Sequence, residues 1–128
     1  MMQTLMSVLK NLTNPENLNY YIPSRFEEGY GLNKDAIDYI ASCGCDLLIT
    51  VDCGSVSYDE VEHAKSYGMK VIVTDHHNVT DVMADCILIN PKHPKSEYPF
   101  KELSGCGVAF KVAQAVQSVL QNYSDFQT

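Results

Sequence analysis

A chain of 128 residues with 45% apolar side chains can bury one core and is too short for two comfortable domains. Its net charge of −7 argues against general electrostatic attraction to nucleic acid, which draws on Lys/Arg clusters, but allows a phosphate-bearing substrate if bound cations reverse the local sign. No apolar run approaches the ~18–20 residues of a membrane span, and the start reads as no signal peptide.

In chain order, MQTLMSVLKNL carries Leu5, Val8, Leu9 and Leu12 at helix spacing, and TNPEN ends it. LNYYIP is short and aromatic and stops at Pro23, which predicts a strand. SRFEEGYGLN reads as a loop holding Arg25, Gly29 and Gly31. Asn33 is the expected N-cap of a helix over KDAIDYIASCG, with Ala36, Ile37, Ile40 and Ala41 on one face and Gly44 at its end. DLLITVDCG is a continuous apolar run closing on Asp52. SYDEVEHAKSYG is an amphipathic helix, and KVIVTDHH is the next buried run. A further strand covers Cys86 to Ile89, and the polar loop KHPKSEYPFKELSG follows it. GVAFKVAQAVQSVLQ is a strong helix.

Buried strands alternating with helices predict an α/β domain, a three-layer, mainly parallel sheet with flanking helices. Ligands of such sheets bind outside the carboxyl ends of the strands. The polar residues collect there: Arg25 after the first run, Asp52 after the second, Asp75, His76 and His77 after the third, Asn90 after the fourth.

A lone aspartate before a turn is ordinarily a cap or turn residue. The functional reading of Asp52 gains because the next strand tip carries Asp75, His76 and His77, and neighbouring parallel strands bring the two tips together. Two adjacent histidines point in different directions, so at most one is a simple cap. Neutral imidazoles with carboxylates suit Mn²⁺, Fe²⁺, Co²⁺ or Zn²⁺ better than Ca²⁺. Arg25 has the planar fork that suits phosphate, or is a surface arginine in a turn. Ser104 with Gly105 to Gly107 opens a helix whose amides either cradle an anion or are simply capped. There is no GKS or GKT, so a Walker-type loop is excluded. His63 and His93 have no partner in this pattern. The five cysteines, Cys43, Cys45, Cys53, Cys86 and Cys106, are odd in number and read as reduced, mostly buried thiols of a cytoplasmic protein.

VTDHH resembles the signature of the DHH phosphoesterase superfamily. Together with PSRFEEGYGLN, LLITVDCG, ILINPK and LSGCGVAFK, in this order over positions 18 to 113, it resembles the RecJ-like branch, the single-strand-specific 5′→3′ DNA exonucleases. The resemblance implies a two-metal phosphodiesterase using Mn²⁺ or Mg²⁺ on single-stranded DNA, in DNA repair and recombination. It implies metal-ligand roles for Asp52 and His76, a ligating or supporting role for Asp75, and contact of His77 with the scissile phosphate. Arg25, Gly105 and Gly107 would lie near substrate.

The resemblance also has gaps. The family's DxDG motif is not found before TLMSVLKNL, nor a later aspartate motif after GVAFK. The expectation is therefore a partial DHH domain over residues 1–128, truncated at both ends. It should bind one ion weakly or none, be inactive alone, and associate into a homo-oligomer through an exposed sheet edge. The alternatives are a phosphodiesterase of oligonucleotides or cyclic dinucleotides in the same superfamily, or a non-catalytic binding domain that keeps the fold.

Overall fold

The computed structural model describes residues 2–22 and 31–127. Its sheet grows from three apolar runs, the first two separated by a helix and the last two by a loop. Helix α1 (Met2–Leu9) comes first, then a single 3₁₀ turn (Pro15–Asn17). Helix α2 (Lys34–Ser42), strand β1 (Leu47–Val51), helix α3 (Tyr58–Ser66) and strand β2 (Lys70–Thr74) follow, then strand β3 (Ile87–Ile89) and helix α4 (Gly105–Gln127).

The strands lie in the order β1-β2-β3, and both pairings are parallel. The register sets Val51 beside Thr74 and Thr74 beside Ile89. All three strands therefore end at one level. The ladder runs one step further, with Asp52 N donating to Thr74 O at 2.9 Å and Asp75 N donating to Ile89 O at 3.0 Å.

Alternation along β2 sends Val71 and Val73 to one face. There they join Ile37 of α2, Val61 and Ala64 of α3, Met69 and Ala84 in the main core. Helix α4 also contacts β2, and α1 packs on α4. The buried Val108, Ala109 and Ala113 of α4 stand outside the α2/α3 core cluster, as expected of a helix on the opposite face. The α/β, parallel, three-layer expectation holds.

Asn33 caps α2 as its position predicts, accepting from Ala36 N at 2.8 Å. Gly44 follows the helix with φ +80°, a conformation that glycine adopts without strain. Helix α4 begins at Gly105, one half-turn before the expected Gly107, because Ser104 caps it: its hydroxyl accepts from Gly107 N at 3.1 Å.

Four expectations change. Residues Leu18 to Ile22 form no strand. A strand exists by laddering with a neighbour, and this segment instead runs over α2, where the Tyr21 and Tyr39 rings lie 5.8 Å apart. Helix α1 stops at Leu9, and Leu12 is left exposed in the turn beyond it. The five cysteines are free thiols as expected, but none is fully buried; Cys43 and Cys106 are exposed. His63, without a partner in the sequence pattern, pairs across helices with Asp38 at 2.6 Å. Tyr67 also donates to that carboxylate, and these two hydrogen bonds, Tyr67's first, hold Asp38 below its ordinary pKa.

Ile37 is fully buried where α2 meets the sheet. Ile37→Ala is expected to destabilise the fold by about 2–5 kcal/mol through lost burial and the cavity left behind. Urea denaturation checks this; an unchanged midpoint would mean that α2 does not anchor the core.

Candidate metal centre

The β1 tip is built around an unusual backbone. Asp52 has φ +67°, the one non-glycine residue with positive φ among those described. Aspartate tolerates this region better than most residues, and such conformations gather at functional sites. Thr50 stabilises the bend by donating its hydroxyl to Cys53 O at 2.7 Å. Thr74 ties the β2 tip to the same strand by donating its own to Thr50 O at 2.7 Å.

Helix α4 closes the tip from the other side. A Cβ at Gly105 would lie 2.4 Å from Asp52 Oδ1, so glycine is what lets the helix start come this close to the carboxylate. The positive end of the helix thereby faces a negative group of the chain itself. Gly107 has a different reason for being glycine: its Cβ would collide with the Leu103 side chain at 2.6 Å. Of the two glycines expected near substrate, Gly105 lies against Asp52 and Gly107 against Leu103.

At the β2 tip, Asp75 is 2% exposed. Its Oδ1 accepts from His76 N at 2.8 Å, from His77 N at 3.3 Å and from His77 Nδ1 at 2.7 Å. Its Oδ2 accepts from Ser55 N at 3.1 Å. Burial alone would raise its pKa, but the Ser55 hydroxyl, His77 and the Ser55 and His76 amides together outweigh burial and hold it below the usual carboxylate range. Asp75 is thus a carboxylate walled in and surrounded by donors.

The His77 ring stays on Asp75 while the His76 ring reaches Asp52, and their centroids lie 4.4 Å apart. His76 Nε2 lies 2.8 Å from Asp52 Oδ1. Asp52, His76 and His77 each offer a ligand atom, and these three atoms lie within 4.8 Å of one another. The side chains of Asp52 and His76 are 28% and 29% exposed, although the Asp52 Oδ1 that faces His76 is itself buried. A carboxylate oxygen and two imidazoles are a donor set that fits a borderline divalent ion. The residues present therefore fit a metal; Asp75, expected as a ligand or a support, is not among the three converging donors.

Cys53 borders this centre and is no nucleophile. Burial and the charges of Asp75 and Asp52 push its thiol up to about 11. Arg25 lies outside the described residues. Two buried residues that the sequence did not single out for a role, Ser55 and Asn90, sit directly behind the centre; Asn90 shows only as the polar residue that ends an apolar run.

Gly105→Ala is expected to force the Asp52 carboxylate away from His76 and to destabilise the fold by about 1–3 kcal/mol, the usual cost of overpacking. Denaturant melting and the His76 imidazole NMR signals check this. A variant with native stability and unchanged His76 signals would show that the contact is not tight.

The DHH family model, N-terminal domain, matches residues 2–127. The chain is 43% identical over 108 residues to the single-stranded-DNA-specific exonuclease RecJ of Salmonella typhimurium, covering 84% of this chain and 19% of that protein. It is 47% identical over 100 residues to the RecJ of Bacillus subtilis, covering 77% and 13%. A crystal structure of exonuclease RecJ bound to manganese superposes with a TM-score of 0.73 at 28% identity, covering 91% of this chain and 30% of that one. The chain spans under a fifth of the length of these curated relatives. Fold, site and family model agree: the chain belongs to the DHH family.

Proposed function

We propose that these 128 residues are part of the DHH domain of a metal-dependent exonuclease that hydrolyses single-stranded DNA. The observation that carries the reading is the convergence of ligand atoms from Asp52, His76 and His77 within 4.8 Å across two strand tips. The similarity to RecJ proteins, one of them with manganese bound, supports the substrate class and a divalent ion, Mn²⁺ or Mg²⁺.

Asp52 and His76 are the residues that would hold the ion, with His77 beside them for the scissile phosphate. An ion there would polarise a phosphoryl oxygen and make bound water a better nucleophile. Asp75 holds the His77 ring by its Nδ1 edge at 2.7 Å, which leaves the Nε2 edge facing outward for a ligand. Helix α4 holds the Asp52 carboxylate in place through the close approach at Gly105. Arg25 is proposed as a phosphate contact on the resemblance of its sequence block alone.

Three donors are too few for two ions. A two-metal site would therefore draw on ligands beyond these three, and the isolated chain should bind one ion weakly and turn over little or no DNA. Its proposed setting is DNA repair and recombination in the cytoplasm. No helix among the described residues is long and apolar enough to cross a membrane.

The test is cleavage of 5′-phosphorylated single-stranded DNA with Mn²⁺. Asp52→Ala and His76→Ala in the full-length protein are expected to lose at least about 100-fold in rate while the fold survives. Wild-type cleavage by either purified variant would remove these residues from the metal site. Rapid turnover by the 128-residue chain would show that its own donors suffice.

Among the described residues, no strand covers the outer edge of β1, and Leu47 on it is 47% exposed. An open edge is a template for pairing, so self-association of the isolated chain through β1 is expected. Light scattering checks this, and a monomer mass at high concentration would rule it out.

A further inference from the structure

We propose that the groove between the β3–α4 loop and helix α4 is a subsite for one nucleotide of single-stranded DNA, its base on Tyr98 and its phosphates between Lys95 and Lys111. The proposal rests on the reading of the chain as part of a single-strand exonuclease, and names a surface for the strand beside the metal centre.

Charge is the first observation. The chain is acidic, yet residues 90–111 hold four of its nine Lys and Arg side chains, Lys92, Lys95, Lys101 and Lys111, and only two of its sixteen acidic ones, Glu97 and Glu102. None of the four lysines enters the ion pairs formed among the described residues. Exposed aromatic rings are interleaved with them: Tyr98 is 37% exposed and Phe100 57%. Cations that follow a backbone, with rings on which bases stack, are the means by which proteins hold single strands.

Shape is the second. The groove encloses about 640 Å³, within the roughly 300–1,000 Å³ of small-molecule sites. Its floor is apolar, from the half-buried Leu88, Leu103, Val112 and Val116, and suits the face of a base. Exposed Lys95 and Tyr98 line it from the loop, and exposed Lys111 from the helix. The loop is held in shape by its own turns: His93 N donates to Asn90 O at 3.0 Å, Ser96 N to His93 O at 2.8 Å and Lys101 Nζ to Ser96 O at 2.6 Å.

Placement is the third. Asn90 lines the groove and also donates to His77 O at 2.9 Å, so the groove and the metal centre share a wall. The other end of the loop leads into Gly105, which lies against Asp52. A strand with one phosphate at the centre therefore has this groove beside it. An apolar groove can also receive protein, but a lysine on each side and the adjoining metal centre favour a nucleotide.

The experiment uses the 128-residue chain without metal, with a 5′-phosphorylated oligothymidylate as the probe. On titration, the amide NMR signals of Lys95, Ser96, Tyr98 and Lys111 should move while those of α2 and α3 stay in place. Tyr98→Ala should weaken binding about 5–150-fold, the loss of one base–aromatic stack. Lys95→Gln and Lys111→Gln should each lower the slope of log affinity against log salt by about 0.7. All three side chains are exposed, so the variants should keep the fold. Groove signals that ignore the oligonucleotide would overturn the proposal. So would polyphosphate binding as tightly at the same signals, since it has charge and no bases. Groove signals that shift with protein concentration alone would put a second copy there and overturn it as well. Cleavage of single-stranded DNA by full-length Tyr98→Ala with wild-type KM would remove the subsite and keep the exonuclease reading. If the full-length protein cleaves no single-stranded DNA, that reading falls, and the metal-free titration still decides the groove.

Discussion

The site depends on one geometric constraint, the parallel register that brings three strands to the same level. Val51, Thr74 and Ile89 are lateral neighbours. The residues that follow them, Asp52, Asp75 and Asn90, must then form a row along one edge of the sheet. In an antiparallel arrangement alternate strands would point their tips to opposite edges, and Asp52 and His76 could not meet. Helix α4 adds the third side, entering at Gly105 close enough that no side chain fits between it and Asp52.

Within that row the residues divide by burial. Asp75 is sealed and saturated with hydrogen bonds, whereas Asp52, His76 and His77 remain accessible. Burying an ionised carboxylate is expensive unless donors surround it. Here the donors are the Ser55, His76 and His77 amides and the His77 imidazole, so the charge that orients the site also locks the tips together. Preorganisation and local stability come from the same contacts. The left-handed backbone at Asp52 belongs to the same economy: it turns the carboxylate toward His76 where an extended residue would carry the chain onward.

Much of this was legible in the chain of letters. Alternating buried strands and helices gave the α/β class, because apolar runs of five residues between amphipathic helices have few other ways to bury themselves. The caps at Asn33 and Ser104 were legible because capping depends on residues a few positions apart. The segment Leu18 to Ile22 was misread for the opposite reason. Its composition suits a strand, but a strand is made by its neighbour, and Tyr21 found α2 instead. Gly105 and Gly107 looked alike as letters, and only their surroundings separate them, a carboxylate for one and a leucine for the other.

By itself the sequence determined which residues end the strands and which chemical groups they carry: Asp52, then Asp75, His76 and His77, then Asn90. Strand ends follow from local hydrophobic pattern, and ligand chemistry follows from residue type. Only the tertiary structure decided where each group stands. Whether a carboxylate faces an ion or supports a histidine depends on burial and on donors that lie far away in the chain. Ser55 is 20 residues from Asp75, and Asn90 is 35 from Ser55. No local pattern carries that information, because the contacts come into being only when the strands align.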